Sequence, residues 1–277
     1  MNSQAIGIFD SGFGGLTALR EVIDLAPNED VVFFGDNARI PYGTKTARII
    51  TKYSLEDISF LLSHDVKLII VACGTVSSTL PEEYARKVPV QYVTVVEPTS
   101  LAAVRATKNK KIGILGTGAT IKSGAFEKSL LKHSHDIKTV SVACPLFVPL
   151  VENGYTSRDC EITRLAAMEY LAPLKAAGVD TVILGCTHYP LLCDIISDIM
   201  GGGVSIINSG LETAKYAIEL LRDNGLENEK GGARRFYTSD NAENFSKLAR
   251  PFLGSELCGE VSTVAIEDVP LNPVFCE

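Results

Sequence analysis

The chain has 277 residues, of which 46% are hydrophobic and 21% are charged, a balance typical of a folded protein and not of a disordered one. Its formal net charge of −7 argues against a nucleic-acid partner, because phosphate binding requires clustered positive charge. This length allows one large domain or two of ordinary size, and we expect two.

Neither a signal peptide nor a membrane segment is evident in the sequence. The apolar run at residues 5–9 is ended at once by Asp10, which disfavours a secretory signal. No apolar stretch approaches the roughly 20 residues that a membrane-spanning helix needs. We therefore expect a cytoplasmic protein with no membrane partner. Its seven scattered cysteines should be reduced thiols, and because none has zinc-ligand spacing we expect no metal.

Short apolar runs rich in β-branched residues alternate with segments of helical periodicity along the chain. The strand-like runs are residues 5–9, 31–34, 68–72, 92–96, 111–115, 139–142, 181–184 and 204–207. The helix-like segments are residues 16–25, 47–63, 123–132, 162–176 and 211–222. This alternation predicts an α/β fold with mostly parallel sheets.

Two pairs of segments indicate that the chain contains two related halves. The pattern at residues 6–8, followed by a glycine-rich turn, recurs 106 residues later at 112–114. The run leading to Cys73 is echoed by the run leading to Cys186, at an offset of 113 residues. Near-equal offsets predict two similar domains related by a pseudo-twofold axis, with strand-end loops from both meeting in one cleft.

Two cysteines, Cys73 and Cys186, stand at equivalent strand ends. Each follows a buried strand and precedes a predicted helix, whose dipole and free N–H groups would favour a thiolate. A lone cysteine there is more often a small buried side chain, but a matched pair indicates acid–base chemistry. Asp10 is suited to act on Cys73, and His188 to act on Cys186. The alternative for Asp10 is a helix cap or an Asx turn, and the alternative for His188 is a hydrogen bond within its own turn.

The remaining polar candidates are weaker when taken singly. Glu152, in the segment 149–154, is also consistent with an exposed loop carboxylate. Five cysteines receive no chemical role, because they precede a proline, lie within or beside helical stretches or fall in the C-terminal tail. They are Cys144, Cys160, Cys193, Cys258 and Cys276.

Four segments carry a close resemblance to a known family: residues 10–17, 35–43, 143–149 and 184–191. Together they resemble the bacterial glutamate racemases, of the aspartate/glutamate racemase superfamily, over nearly the whole chain. The resemblance implies two similar three-layer α/β domains with the active site in the cleft between them. The first would comprise residues 1–97 plus 208–277, completed by the returning C-terminal segment, and the second residues 98–207.

The resemblance also implies an activity, the interconversion of L- and D-glutamate without a cofactor, which supplies D-glutamate for peptidoglycan. Cys73 would remove the α-proton from D-glutamate and Cys186 from L-glutamate, each thiol acting as the acid in the other direction. Asp10 would assist Cys73, while Glu152 and His188 would assist Cys186. The implied substrate-binding residues are Asp10, Ser11, Pro41, Tyr42, Gly43, Gly74, Thr75, Thr117, Thr120, Cys186, Thr187 and His188. No lysine stands at a matching strand end to form a Schiff base, in agreement with a cofactor-free mechanism.

One departure from the family pattern lies next to the first thiol, where Gly74 replaces the usual asparagine. The missing amide leaves open a racemase or isomerase acting on aspartate or another small acidic substrate. On this basis we expect Gly74→Asn to tighten glutamate binding. A related decarboxylase would need one thiol only, so the pair disfavours it.

Two other classes of function stay open. A non-catalytic binding protein for an acidic solute would also have two α/β domains around a cleft. A thiol redox sensor would form a disulfide between Cys73 and Cys186 rapidly. For the enzyme we expect a homodimer, the commonest assembly of its kind.

Overall fold

The computed structural model describes residues 4–255 and 257–276. Within these residues, the strands form one six-stranded and one four-stranded sheet. The strands are β1 Ala5–Asp10, β2 Val31–Gly35, β3 Val66–Val71, β4 Gln91–Thr94, β5 Lys111–Gly116, β6 Lys138–Ala143, β7 Thr181–Leu184, β8 Ser205–Asn208, β9 Arg234–Thr238 and β10 Val261–Thr263.

At least one α-helix connects each pair of consecutive strands in the described residues. They are α1 Leu16–Leu25, α2 Ala47–Leu62, α3 Gly74–Thr79, α4 Glu82–Ala85, α5 Val96–Ala106, α6 Gly118–Ser123, α7 Ala125–His133, α8 Phe147–Glu152, α9 Glu161–Ala177, α10 Cys193–Met200, α11 Ser209–Asp223 and α12 Ala242–Leu253. Short 3₁₀ turns occur at Asn37–Arg39, Tyr42–Thr44, Tyr189–Leu192, Ile266–Asp268 and Pro273–Phe275.

The order β2-β1-β3-β4 in the first sheet is repeated by all four strands of the second. The first runs β10-β9-β2-β1-β3-β4 and the second β6-β5-β7-β8, with every pair parallel. In the first sheet, Gly7 of β1 lies opposite Ile69 of β3. In the second, Gly113 of β5 lies opposite Val182 of β7. Strand order and register therefore confirm the repeat that the sequence predicts.

The core is built on strands that are buried on both faces. Every residue of β1 and β3 is buried, because helices cover both sides of the first sheet. One cluster of buried apolar side chains includes Ile8 of β1 and Leu184 of β7, and so continues from one half into the other. The predicted three-layer α/β architecture is confirmed.

All eight predicted strands are present, with ends that differ by at most two residues. Two strands are missed, β9 because it begins with Arg234 and Arg235, and β10 because it has three residues only. The predicted helix over residues 123–132 is wrong in one respect: Gly124, with φ of +65°, separates α6 from α7. A second correction concerns Cys186, which is followed by the 3₁₀ turn Tyr189–Leu192 and not directly by an α-helix.

The C-terminal segment returns to the first sheet, as the resemblance implies. There β9 pairs with β2, and Phe236 lies opposite Phe33. The predicted domain boundary after residue 97 falls inside α5, and the boundary before residue 208 falls at the last residue of β8. Over residues 4–255 and 257–276, no helix is long and apolar enough to cross a membrane.

Candidate active site

Strand ends from both sheets surround one cavity of about 310 Å³, within the roughly 300–1,000 Å³ range of small-molecule sites. Its walls come from the loops after β1, β2 and β3 of the first sheet and after β5, β6 and β7 of the second. The lining residues are Ser11, Gly12, Ile40, Pro41, Tyr42, Gly43, Thr44, Cys73, Gly74, Thr75, Thr117, Gly118, Cys144, Pro145, Val148, Pro149, Glu152, Cys186, Thr187 and His188. Of the residues expected from the sequence, all line this cavity except Asp10 and Thr120.

The two thiols reach the cavity from opposite halves of the molecule. Cys73 follows β3 and Cys186 follows β7, and these strands hold equivalent places in the two sheets. Both side chains line the cavity, yet they are only 4% and 6% exposed. A small molecule held in the cavity would thus meet one thiol from each half of the chain.

Cys73 has a hydroxyl as its nearest polar partner. Its Sγ atom lies 3.3 Å from Oγ of Ser11. Burial raises the pKa of the Cys73 thiol to about 11 and the charge of Asp10 adds to this, whereas Ser11 and the backbone N–H of Val76 act in the opposite direction. The N–H of Val76 in the short helix α3 thus favours the thiolate, as expected from the sequence, but desolvation outweighs it.

Cys186 stands beside an imidazole that is itself held by a carboxylate. Nδ1 of His188 lies 3.9 Å from Sγ of Cys186, and Nε2 lies 3.2 Å from Oε1 of Glu152. Burial raises the pKa of the Cys186 thiol as well, although a hydrogen bond from the backbone N–H of His188 acts to lower it. The N–H that favours the thiolate here belongs to the turn residue His188, because the α-helix predicted directly after Cys186 is absent.

Asp10 lies behind the cavity wall and is completely buried. Its carboxylate accepts hydrogen bonds from the backbone N–H of Gly12, 3.0 Å away, and from the hydroxyl of Thr187, 3.4 Å away. The first of these is the Asx-turn bond considered from the sequence, and the second joins the first half to the loop of Cys186. Burial raises the pKa of the Asp10 carboxyl, while the nearby His188 opposes this shift.

Tyr42 lines the cavity but turns its hydroxyl away into a buried charged cluster. The hydroxyl donates to Asp36 and, at 3.1 Å, to Asp57. Arg39 donates to the same two carboxylates at 2.7 and 2.9 Å and also pairs with Glu56. Burial raises the pKa of Asp57, and the charge of Asp36 acts in the same direction. This cluster, which no local sequence pattern indicates, anchors the segment that carries Pro41 and Gly43.

Threonine hydroxyls connect the two halves at the edge of the cavity. Oγ1 of Thr75 lies 2.9 Å from Oγ1 of Thr117, which in turn lies 3.0 Å from Oγ1 of Thr120. Thr120 is thus behind the wall and not part of it. On the other side, Thr17 donates to the backbone carbonyl of Thr187 at 2.9 Å.

The cavity wall formed by the loop after β6 and by α8 was not predicted from the sequence, apart from Glu152. Cys144 and Pro145, after β6, and Val148 and Pro149, in α8, all line the cavity. Cys144 was given no role, although its position at a strand end is the same signal that singled out the other two thiols. Burial raises the pKa of the Cys144 thiol to about 12. Among the described residues, no group of three or more His, Cys, Asp or Glu side chains could hold a metal ion.

Comparison with known proteins gives matches that cover most of the chain. Residues 16–217 match the family model described as Asp/Glu/Hydantoin racemase. A glutamate racemase from Geobacter metallireducens is 43% identical over 266 residues, which are 95% of this chain and 97% of that protein.

Solved structures agree in fold over nearly the full length. Glutamate racemase isoform RacE1 from Bacillus anthracis has a TM-score of 0.91 at 33% identity, covering 98% of this chain and 100% of its own. Glutamate racemase from Francisella tularensis, in complex with D-glutamate, has a TM-score of 0.89 at 33% identity, covering 96% and 99%. The extent of these matches shows that the chain belongs to the Asp/Glu/hydantoin racemase family.

Proposed function

We propose that the protein interconverts L- and D-glutamate by a two-thiol acid–base mechanism without a cofactor. The observation that carries the proposal is the pair Cys73 and Cys186, which line one cavity from equivalent strand ends of two similar sheets. Inversion at carbon needs a base on one face and an acid on the other, and this pair supplies both. The relatives named above are glutamate racemases, and one of them holds D-glutamate, which favours glutamate over aspartate.

Starting from D-glutamate, the thiolate of Cys73 removes the α-proton and the thiol of Cys186 delivers a proton to the opposite face. Starting from L-glutamate, the roles are exchanged. One thiolate and one thiol are present before and after each inversion, so the protons balance. Because the α-proton is only weakly acidic, a buried thiol with a raised pKa is suited to this step, since its thiolate is the stronger base.

The neighbours of each thiol have distinct roles in this mechanism. His188, held by Glu152, exchanges protons with Cys186 and orients it. On the other side, Asp10 acts on Cys73 through its charge, and Ser11 through a hydrogen bond.

Carbanion character at the α-carbon requires donors around the substrate carboxylates in a site that excludes water. We assign substrate contacts to residues of the cavity wall and to one hydroxyl behind it. They are Ser11, Pro41, Tyr42, Gly43, Gly74, Thr75, Thr117, Thr120 and Thr187. Hydroxyls and backbone N–H groups among them are the donors; Tyr42 offers its N–H because its hydroxyl is engaged elsewhere, and Pro41, which has no N–H, supplies packing only.

Family membership also supports proposals for the domain boundaries, the location, the oligomeric state and the use of the product. Residues 1–97 plus 208–277 and residues 98–207 are proposed as the two domains, because each contains one of the two similar sheets. We assign the enzyme to the cytoplasm as a homodimer. Its product would be the D-glutamate that peptidoglycan synthesis consumes.

The proposal is tested by incubating the purified protein with L-glutamate, D-glutamate and L-aspartate separately in deuterium oxide. Deuterium at the α-carbon accompanied by inversion of glutamate alone is the expected result. Inversion of aspartate instead would assign the protein to the other branch of the family. Binding of glutamate without exchange would indicate a solute-binding protein.

A thiol redox sensor is the weaker alternative on physical grounds. Sensor thiols require a low pKa so that the thiolate reacts with the oxidant, whereas burial raises the pKa of both thiols here. Rapid formation of a disulfide between Cys73 and Cys186 under mild peroxide would still favour it.

A further inference from the structure

Glycines of the first half meet the second half at several points around the cavity. A Cβ atom on Gly14 would lie under 3.0 Å from the side chains of Thr187 and His188. A Cβ atom on Gly43 would lie 2.8 Å from Cβ of Thr117. In both cases the obstructing atoms belong to side chains.

Gly74 differs because it meets the backbone of the second half. A Cβ atom there would lie well under 3.0 Å from the carbonyl oxygen of Gly185, closer than real Cβ atoms come. A side chain in such a position can rotate away, but a carbonyl group moves only if its chain moves. No substitution at Gly74 is therefore accommodated by a change of rotamer.

The peptide of Gly185 is itself fixed to the second sheet. Its N–H donates to the carbonyl of Leu115 at 2.8 Å, at the end of β5. The space beside its α-carbon is occupied as well, by that carbonyl oxygen and by the ring of Phe126. Because Gly185 is hydrogen-bonded to the second sheet and closely packed on its Cβ side, we expect a side chain at position 74 to push the strand ends of the two sheets apart.

The contact joins the chain neighbours of the two reactive groups, because Gly74 follows Cys73 and Gly185 precedes Cys186. We infer that Gly74 is a positioning residue whose missing side chain sets the separation of the two thiols across the cavity. The inference rests on the proposed two-thiol function. Both sulfur atoms must reach opposite faces of one carbon, and a misplacement of about 1 Å can cost about 100-fold in rate.

This geometry replaces the expectation drawn from the missing asparagine. An amide at position 74 was expected to tighten glutamate binding, but its Cβ atom alone would already displace Gly185. The chain thus brings its two halves together more closely here than any side chain permits. Gly74→Asn should weaken catalysis and not strengthen binding.

Gly74→Ala tests the inference with the smallest possible side chain. We expect kcat to fall about 100-fold in both directions. The primary deuterium isotope effect should rise because proton transfer becomes more fully rate-limiting. Deuterium incorporated with retention should increase relative to deuterium incorporated with inversion, because the second thiol no longer reaches the carbanion. A residue needed only for folding would not change that ratio.

Gly203→Ala is the matched control, because its added Cβ atom would have no neighbour within 4 Å. It should keep the wild-type rate and the wild-type ratio of inversion to retention. Wild-type values in Gly74→Ala would overturn the inference while leaving the proposed function intact, whereas an inactive wild-type protein would remove the proposed function itself. Urea unfolding of both variants is the second measurement. A Gly74→Ala protein that does not fold would also overturn the inference, since the contact would then serve the fold and not the thiol spacing.

Discussion

The Nδ1 atom of His188 lies 3.9 Å from the Sγ atom of Cys186. Cys73, at the equivalent strand end, has instead the hydroxyl of Ser11 at 3.3 Å. The two thiols are therefore related by the repeat but differ in their proton-exchanging neighbours. A symmetric reaction is carried out in an asymmetric site, and each direction depends on its own set of groups.

Replacing His188 by asparagine should expose this asymmetry. Cys186 is the base for L-glutamate, so kcat in that direction should fall by about 100-fold or more and by less in the other. The two enantiomers have equal free energy, which requires kcat/KM to stay equal in both directions. Polarimetric assays at saturating L- and D-glutamate provide the measurement. Equal loss of kcat in both directions would mean that His188 only holds the site together.

Asp10→Asn should act on the other thiol through charge. The carboxylate of Asp10 adds to the effect of burial in raising the pKa of Cys73, so a neutral amide should lower that pKa. The thiolate would then form at lower pH. We expect kcat for D-glutamate, which rises with pH as Cys73 ionises, to begin its rise at lower pH in the variant. The measurement is kcat for D-glutamate as a function of pH in the wild-type protein and in Asp10→Asn. If kcat rises over the same pH range in both, the charge of Asp10 does not act on Cys73.

The thiols themselves are tested by Cys73→Ser and Cys186→Ser. A hydroxyl is far less acidic than a thiol, so each change should lower kcat/KM by about 1,000-fold or more, in line with general acid–base contributions. Unfolding by urea should be nearly unchanged, because the replaced atom is similar in shape. Cys276→Ser, at an exposed site outside the cavity, is the control. Substantial racemisation by either active-site variant would rule out the two-thiol mechanism.

Features that depend on neighbouring residues in the chain could be predicted from the sequence, whereas features that depend on contacts between distant residues could not. Strand runs, their offsets and the residues at strand ends are local features, and they correctly predicted the repeat and most of the cavity wall. The local pattern indicated the N–H groups that favour a thiolate at Cys73 and Cys186, but not the burial that raises both pKa values, because desolvation depends on everything packed around a side chain. For the same reason, the contact between Gly74 and Gly185 joins residues that are more than one hundred positions apart, and no local pattern indicates it.

The buried ion pair between Lys67 and Glu29 should contribute to the stability of the fold and not to catalysis. Nζ of Lys67 lies 2.6 Å from Oε2 of Glu29, with side-chain exposures of 1% and 4%. Lys67 also donates to the carbonyl of Leu226 at 2.6 Å and to Oδ1 of Asn228 at 2.8 Å. It thereby ties the segment after α11 to the first sheet.

Lys67→Met should cost about 3–5 kcal/mol in the free energy of unfolding, because it leaves the carboxylate of Glu29 buried without its partner. The double variant with Glu29→Gln should be more stable than the single one, since no isolated charge is then left in the interior. Lys110→Met is the matched control: both Lys110 and its partner Asp136 are exposed, so the loss of stability should be far smaller than for Lys67→Met. Urea denaturation measures all three, and a Lys67→Met protein no less stable than Lys110→Met would show that the buried pair contributes nothing beyond a surface one.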